Sequence, residues 1–380
     1  MKVLYDAAPL LMRSAGVKNY HYAVLQRLLA TVPSPQLRMF PYLSRIGVNI
    51  NEQSNFGSTY SWLRLVGVLA SNRFHVPFAH PQAAGVDLFH ITPHVFHPPT
   101  KPVLASMVHD ATPLTHPDCH QRPTIELFQW FVKHTIPKLA AVIVPSHAVK
   151  QDLITQVGMR STTIDVIHHG VDEDFFESSP EQLATARRIY GLPDEFVLFV
   201  GSMEPRKNLV RLAEAHAQLP KTLQARFPLV VVGSAGWHNS EIRTALEKSK
   251  HVRVVGYVSR ALLPAVYACA TLFVFPSLYE GFGMPLLEAM AAGTPVITSS
   301  ISAMPEVVGD AGITVDPYDA DEIRDAMRSM LEDTNAAARM GARGRAHARA
   351  FTWERTAART WEFFEKTAAS TAHRRRLSPD

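Results

Sequence analysis

YEGFGMPLLEAMAAGTPVI, from Tyr279 to Ile297, is the stretch on which the reading of this chain turns. It follows a short apolar run, Thr271 to Pro276, with the length and composition of a buried parallel strand. Gly281 and Gly283 permit a tight exposed turn, and Pro285 suits the first residue of a helix that continues over Leu286 to Ala292. Gly293 stops that helix, and Thr294-Pro295 leads into another strand, Val296 to Ser299. A helix start behind a bare turn is an anion site, because its first N–H groups and the helix dipole both face outward. Glu280 and Glu288 flank that site, and carboxylates do not bind anions. They suit hydroxyls on either side of a phosphate, which describes a nucleotide sugar.

Working outward, a second signal lies upstream in FVGSMEPRKNL, Phe199 to Leu209. A strand ends at Gly201, a turn follows, and Arg206-Lys207 stand just before a helix that Asn208 is placed to cap. Paired cations at a helix start oppose its dipole, so a purely structural role is disfavoured. A planar guanidinium fork beside a compact ammonium suits a diphosphate.

Around these motifs short apolar runs alternate with helical patterns. Strands are expected at Phe196–Val200, Leu229–Val232 and Val252–Val255, with helices near 208–219, 239–248 and 260–269. The same alternation occurs earlier, with strands at Lys2–Tyr5, Val86–Ile91, Val103–Val108, Ala140–Pro145 and Thr163–His168. Helices are expected near 16–30 and 123–139, and after Ser146 as N-cap. The expected fold is α/β: two doubly wound, Rossmann-like domains facing each other across a cleft. The boundaries read as 1–172, a linker over 173–190, a second domain over 191–352, and a C-terminal helix from 353 returning to the first domain, ending in a basic tail. His109-Asp110 falls at the carboxyl end of a strand, the edge where such sheets bind ligands. Gly16 opens a helix as an anion-binding turn would.

Composition narrows the function. The chain has 380 residues, 47% hydrophobic and 19% charged, which excludes a disordered polymer and predicts two domains. Cys119 and Cys269 are its only cysteines, too few for a disulfide framework or a four-cysteine zinc site. MKVLYDAAPLL begins at once with a strand-like run rather than a signal peptide, and no apolar segment reaches the roughly 18 residues a span requires. A cytoplasmic protein is expected. Residues 1–86 carry Asp6 and Glu52 as their only acidic residues, against Lys2, Lys18 and six arginines: Arg13, Arg27, Arg38, Arg45, Arg64 and Arg73. An anionic partner, such as a phospholipid surface, a lipid-linked phosphate or nucleic acid, is one reading; a solvated basic face is the other. Tyr60, Trp62, Leu65, Val66 and Leu69 could form one apolar helical face, read as a core helix or as one lying on a membrane. Asp172-Glu-Asp174 and Asp319-Ala-Asp321 read as structural, and the histidines lack metal-site spacing, so no metal is expected.

Taken together, Glu280-Gly-Phe-Gly-Met-Pro-Leu-Leu-Glu288 resembles the E-x7-E motif of the retaining nucleotide-sugar glycosyltransferases of family 4, which have the GT-B fold. Gly201…Glu204-Pro205-Arg206-Lys207-Asn208 and Gly256-Tyr257-Val258 are similar to that family in the same order. Gly16, Val108-His109-Asp110 and Ile167-His168-His169-Gly170-Val171-Asp172 match more loosely, with His168-His169 where the family often has Pro-Asn. The resemblance implies these roles. Arg206 and Lys207 neutralise the donor diphosphate and stabilise the leaving group. Glu280 and the stretch Gly281, Phe282, Gly283, Met284, Pro285 and Leu286 hold the transferred sugar and the join. Glu288 accepts from the ribose, Gly256, Tyr257 and Val258 lie beside the base, Gly16 approaches the diphosphate, and His109, next to Asp110, contacts the sugar. It further implies a metal-independent enzyme without cofactor, a bacterial mannosyltransferase of polysaccharide assembly using GDP-mannose. The acceptor is expected to be a glycan or lipid-linked, with peripheral contact at an anionic membrane and no nucleic acid. A UDP-sugar is the alternative donor. A nicotinamide-dependent dehydrogenase shares the two-domain pattern, but neither first strand is followed by G-x-G-x-x-G; a non-catalytic glycan-binding module is the third reading.

Overall fold

The computed structural model describes residues 1–11, 15–33, 36–41, 66, 79–95, 97–234, 236 and 240–377. The chain forms two compact units, Met1–Gly170 with Trp353–Asp380, and Val171–Thr352. The first unit contains, in chain order, β1 (Val3–Asp6), α1 (Ala15–Thr31), β2 (Leu37–Phe40), β3 (Leu88–Ile91), β4 (Val103–Met107), α2 (Arg122–His134), β5 (Ala141–Val144), α3 (His147–Val157) and β6 (Ile164–Val166). Its sheet runs β2-β1-β3-β4-β5-β6, every pair parallel. All side chains of β1, β3 and β4 are buried, the pattern of strands covered on both faces. Ser146 caps α3 by accepting from the Val149 N–H at 3.3 Å, as its sequence position predicts.

In the second unit follow α4 (Pro180–Tyr190), β7 (Val197–Val200), α5 (Leu209–Ala217), β8 (Leu229–Val232), α6 (Ser240–Glu247), β9 (Val252–Gly256), α7 (Leu263–Cys269), β10 (Leu272–Phe275), α8 (Met284–Ala291), β11 (Val296–Ser299), β12 (Ile313–Val315), α9 (Ala320–Glu332) and α10 (Thr334–Ala348). The sheet order is β12-β11-β10-β7-β8-β9, again all parallel. Strands therefore proceed one way from β7 to β9 and the other way from β10 to β12. β7 and β10 lie side by side at the point of reversal, where the loops leaving neighbouring strands diverge and open a crevice. Both sequence motifs occupy those two loops. The expected doubly wound α/β architecture is thus present twice. α11 (Trp353–Leu377) packs along α1 in the first unit.

Three sequence expectations are corrected. The stretch 173–190 is not a linker: Phe175 and Phe176 enter the second unit's core, and α4 is a well-started helix. Ser179 accepts from Gln182 N while the Gln182 side chain accepts from Ser179 N, a capping box that the Pro/Ser composition obscured. Two strands, β2 and β12, went unread because each is a short sheet edge with an exposed side chain, so neither presents an apolar run. Asn208 does not cap α5 with its side chain; it takes a left-handed conformation (φ 60°), and its amide donates to the carbonyls of Pro276 at 2.9 Å and Pro317 at 2.7 Å. The proposed face of Tyr60, Trp62, Leu65 and Leu69 lies outside the described residues, as do Arg13, Arg45, Arg64 and Arg73. Among the described residues, no helix is long and apolar enough to cross a membrane.

Candidate active site

The loop after β7 folds into a 3-10 turn, Pro205–Lys207, and projects its two cations toward the loop after β10. Lys207 Nζ donates to Glu280 Oε1 at 2.6 Å. Arg206 bridges two carboxylates, with Nη1 at 3.0 Å from Glu280 Oε2 and Nη2 at 2.7 Å from Glu204 Oε1. The backbones are tied as well, since Leu278 N–H donates to the Arg206 carbonyl at 2.8 Å. Ser277 Oγ donates to Glu280 Oε1 at 2.7 Å, and Ser302 Oγ accepts from the Glu280 N–H while donating to its carbonyl. Lys207 Nζ also lies 5.0 Å from the centre of the Phe275 ring. The fold brings together Arg206, Lys207 and Glu280, all singled out in the sequence, and adds Ser277 and Ser302, which no motif announces.

The electrostatics of this cluster follow from its burial. Glu204, Lys207 and Glu280 are all less than a tenth exposed, so each charge needs a partner. Burial opposes ionisation of Glu280, but Arg206 and Lys207 outweigh it and hold the carboxyl down at about 2. Burial and the adjacent Arg206 push the Lys207 pKa down, against the pull of Glu280. Two cations and two carboxylates balance.

Gly283 is the N-cap of α8 with φ 101°, a conformation that favours glycine, and a Cβ there would lie 3.0 Å from Leu286 Cδ1. Gly281, Phe282 and Met284 complete the turn, with Pro285 in the first helical turn. Phe282 and Leu286 are core residues, so their side chains pack inward and only their backbone faces this turn. Glu288, one turn on, accepts from Tyr267 Oη at 2.8 Å through Oε2; burial raises its pKa, with Arg260 and Tyr267 pulling the other way. Arg260 itself pairs with Asp172. At the end of β9, Gly256 has φ 80°, Tyr257 is exposed and Val258 is buried. Asp319 caps α9, accepting from the N–H groups of Asp321 and Glu322, which fits the structural reading of that Asp-x-Asp pair. Among the described residues, no group of three His, Cys, Asp or Glu is arranged for a metal ion.

In the first unit, His109 follows β4 and is half-buried among aromatic rings. Tyr20 stands edge-on at 4.9 Å and His169 at 5.9 Å between ring centres. Its Nε2 lies 3.5 Å from His21 Nε2. Burial lowers the His109 pKa to about 4, against the pull of Asp110. Asp110 turns its Oδ1 to Thr112, accepting from the backbone N–H at 3.1 Å and the hydroxyl at 2.6 Å. Gly16 sits exposed in the first turn of α1, with open space around it, and residues 12–14 before it lie outside the described residues.

Residues 185–347 match the family of glycosyl transferases group 1, and residues 42–175 match Glycosyltransferase Family 4. The chain belongs to the GT-B glycosyltransferases. It is 28% identical over 377 residues to the O-antigen chain mannosyltransferase B of Escherichia coli, covering 95% of this chain and 98% of that one. Sucrose-phosphate synthase from Thermosynechococcus elongatus superposes with a TM-score of 0.73 at 20% identity, over 97% of this chain and all of that one. Anabaena HepE in complex with UDP and glucose superposes with a TM-score of 0.70 at 19% identity, over 96% of this chain and 100% of that one. These two likenesses concern the fold. For this glycosyltransferase the dehydrogenase and binding-module readings are set aside.

Proposed function

We propose that this glycosyltransferase moves mannose from GDP-mannose onto a glycan or lipid-linked acceptor in bacterial polysaccharide assembly, with retention at the anomeric carbon and without a metal. The observation that carries the reading is the ion cluster Glu204–Arg206–Glu280–Lys207 at the reversal point of the second sheet. Breaking the donor's glycosidic bond builds negative charge on the diphosphate and positive charge on the sugar ring. Preoriented Arg206 and Lys207, with the first N–H groups of α8, stabilise the departing diphosphate. Glu280 accepts from sugar hydroxyls and Glu288 from the ribose. His109, neutral at pH 7, is the residue proposed to hydrogen-bond the sugar besides Glu280.

Glu280 is a poor candidate for a covalent nucleophile. Both of its oxygens are engaged by cations, and a carboxyl held at about 2 is a weak base. Retention then fits front-face displacement, in which the leaving phosphate takes the acceptor's proton. The mannosyl donor is supported by the likeness to an O-antigen chain mannosyltransferase over nearly the full length of both chains. A UDP-sugar is the second reading, motivated by a fold neighbour crystallised with UDP and glucose.

A cytoplasmic location with peripheral membrane contact belongs to the same proposal. Of the cations in residues 1–86, Arg27 is spent on Glu354 at 3.0 Å and Lys18 is buried, so Lys2, Arg38 and the four arginines outside the described residues would carry that contact. Vesicles of anionic phospholipid at low salt test it: co-sedimentation is expected, and none at all contradicts it. A panel of nucleotide sugars read by nucleoside diphosphate release tests the donor, with GDP-mannose expected to turn over fastest.

A further inference from the structure

Beneath His109 lies a buried chain of polar rings to which no role in transfer has been given. Tyr5, on β1, is fully buried and its Oη is 2.7 Å from His21 Nδ1. His21, on α1 and 1% exposed, presents its other nitrogen to His109 Nε2 at 3.5 Å. His90 stacks on the Tyr5 ring at 4.5 Å and 21°, and Tyr20 stands edge-on to both His21 and His109. The two hydrogen-bonded contacts therefore join residues whose rings are held by packing on several sides.

Proton counting along this chain has one satisfactory solution. A buried hydroxyl proton without an acceptor costs free energy, and His21 Nδ1 is the acceptor within reach of Tyr5 Oη. Tyr5 donates, so His21 Nδ1 carries a lone pair. Neutral imidazole has one N–H, so the His21 proton sits on Nε2. That N–H points at His109 Nε2, which must then be the acceptor, and the His109 proton is left on Nδ1. The reverse assignment leaves the buried Tyr5 proton without an acceptor among the described residues.

We infer that Tyr5 and His21 are positioning residues that fix His109 as its Nδ1–H tautomer. His109 then offers a hydrogen-bond donor at Nδ1 and spends Nε2 on the protein. This goes beyond the proposed function and rests on it in one respect only, the role of His109 toward the sugar. Histidine suits this position because its two separate ring nitrogens can accept from Tyr5 on one side and donate to His109 on the other.

The test is long-range proton–nitrogen correlation NMR on the full chain labelled at histidine ring nitrogens, with the His109 signal assigned by its loss in His109→Gln. The wild type at pH 7 is expected to show His109 protonated at Nδ1 alone. Tyr5→Phe removes one oxygen, frees His21 to take either tautomer, and is expected to give a mixture at His109 together with a roughly tenfold fall in kcat at nearly constant donor KM. His21→Gln, which keeps an N–H donor, is expected to retain more activity than His21→Leu. His109 protonated at Nε2 in the wild type, or an unchanged tautomer in Tyr5→Phe, overturns the inference. Unchanged transfer in His109→Gln instead overturns the role of His109 in the proposed reaction, whatever the tautomer measurement gives.

Discussion

Replacing Glu280 by Gln removes one negative charge from a buried, balanced cluster while preserving shape. The carboxyl is held at about 2, against an ordinary value of 4.5. That difference corresponds to about 3 kcal/mol of stability at neutral pH, on the order of 1.4 kcal/mol per pKa unit. The sign is that of a depressed carboxyl: the contribution is complete above pH 4.5 and is lost as pH falls from there through 2. For a unit of this size it amounts to roughly a 10 °C fall in Tm for Glu280→Gln. The cations left behind, with Lys207 deprived of its carboxylate partner and Arg206 of one of its two, make the variant a better anion site. Nucleoside diphosphate should therefore bind at least as tightly as to the wild type and recover much of the lost Tm, while transfer falls sharply because the sugar loses a charged carboxylate acceptor and meets an NH2 donor in its place. Thermal unfolding with and without nucleoside diphosphate, alongside a transfer assay, reads all three quantities. A variant as stable as the wild type, or one that loses diphosphate affinity in step with activity, would refute the reasoning.

Other consequences are as direct. Arg206→Ala and Lys207→Ala should each lower turnover by roughly a hundredfold or more, as expected for a group that stabilises developing charge; turnover within a few-fold of wild type in both removes the leaving-group assignment. Tyr267→Phe frees Glu288 Oε2 and should raise the donor KM with kcat nearly kept, since ribose contacts are made equally in ground and transition states; a fall confined to kcat contradicts this. In the first unit His21 and His90 are buried and kept neutral, with His90 lowered to about 3. Their stabilising contribution is complete above pH 6.5 and declines below it, because the unfolded chain takes up protons that the folded one refuses. For His90 the loss should be about 2 kcal/mol between pH 7 and pH 5. Denaturant midpoints of His90→Leu should accordingly fall less with acid than those of the wild type, and parallel pH slopes would count against it.

How far the sequence could be read depended on whether a residue's signal was local. The strands β8 and β11 were legible to the residue, because Leu-Val-Val-Val and Val-Ile-Thr-Ser are bounded by loop-forming residues and buried on both faces. Arg206, Lys207 and Glu280 were legible because their positions after strands place them at one sheet edge. Ser277, Ser302 and Tyr267 were not, since a hydroxyl becomes significant only when the fold brings it to its partner: Ser277 to the Glu280 carboxylate, Ser302 to the Glu280 backbone and Tyr267 to the Glu288 carboxylate. The same holds for Tyr5 and His21, which meet across a strand and a helix. α4 was hidden for a different reason: its start signal, Ser-Pro-x-Gln, lies in a segment whose composition also suits a linker.

The central claim is that the cluster around Lys207 and Glu280 holds the diphosphate and sugar of an activated donor. Incubating the purified chain with GDP-mannose, the corresponding UDP-sugars and an acceptor glycan, while following nucleoside diphosphate release and the anomeric proton of the product by NMR, addresses it in one experiment. The account predicts release from GDP-mannose and a product with the donor's α configuration. A folded sample that releases nucleoside diphosphate from none of the donors, or a β product, would contradict it.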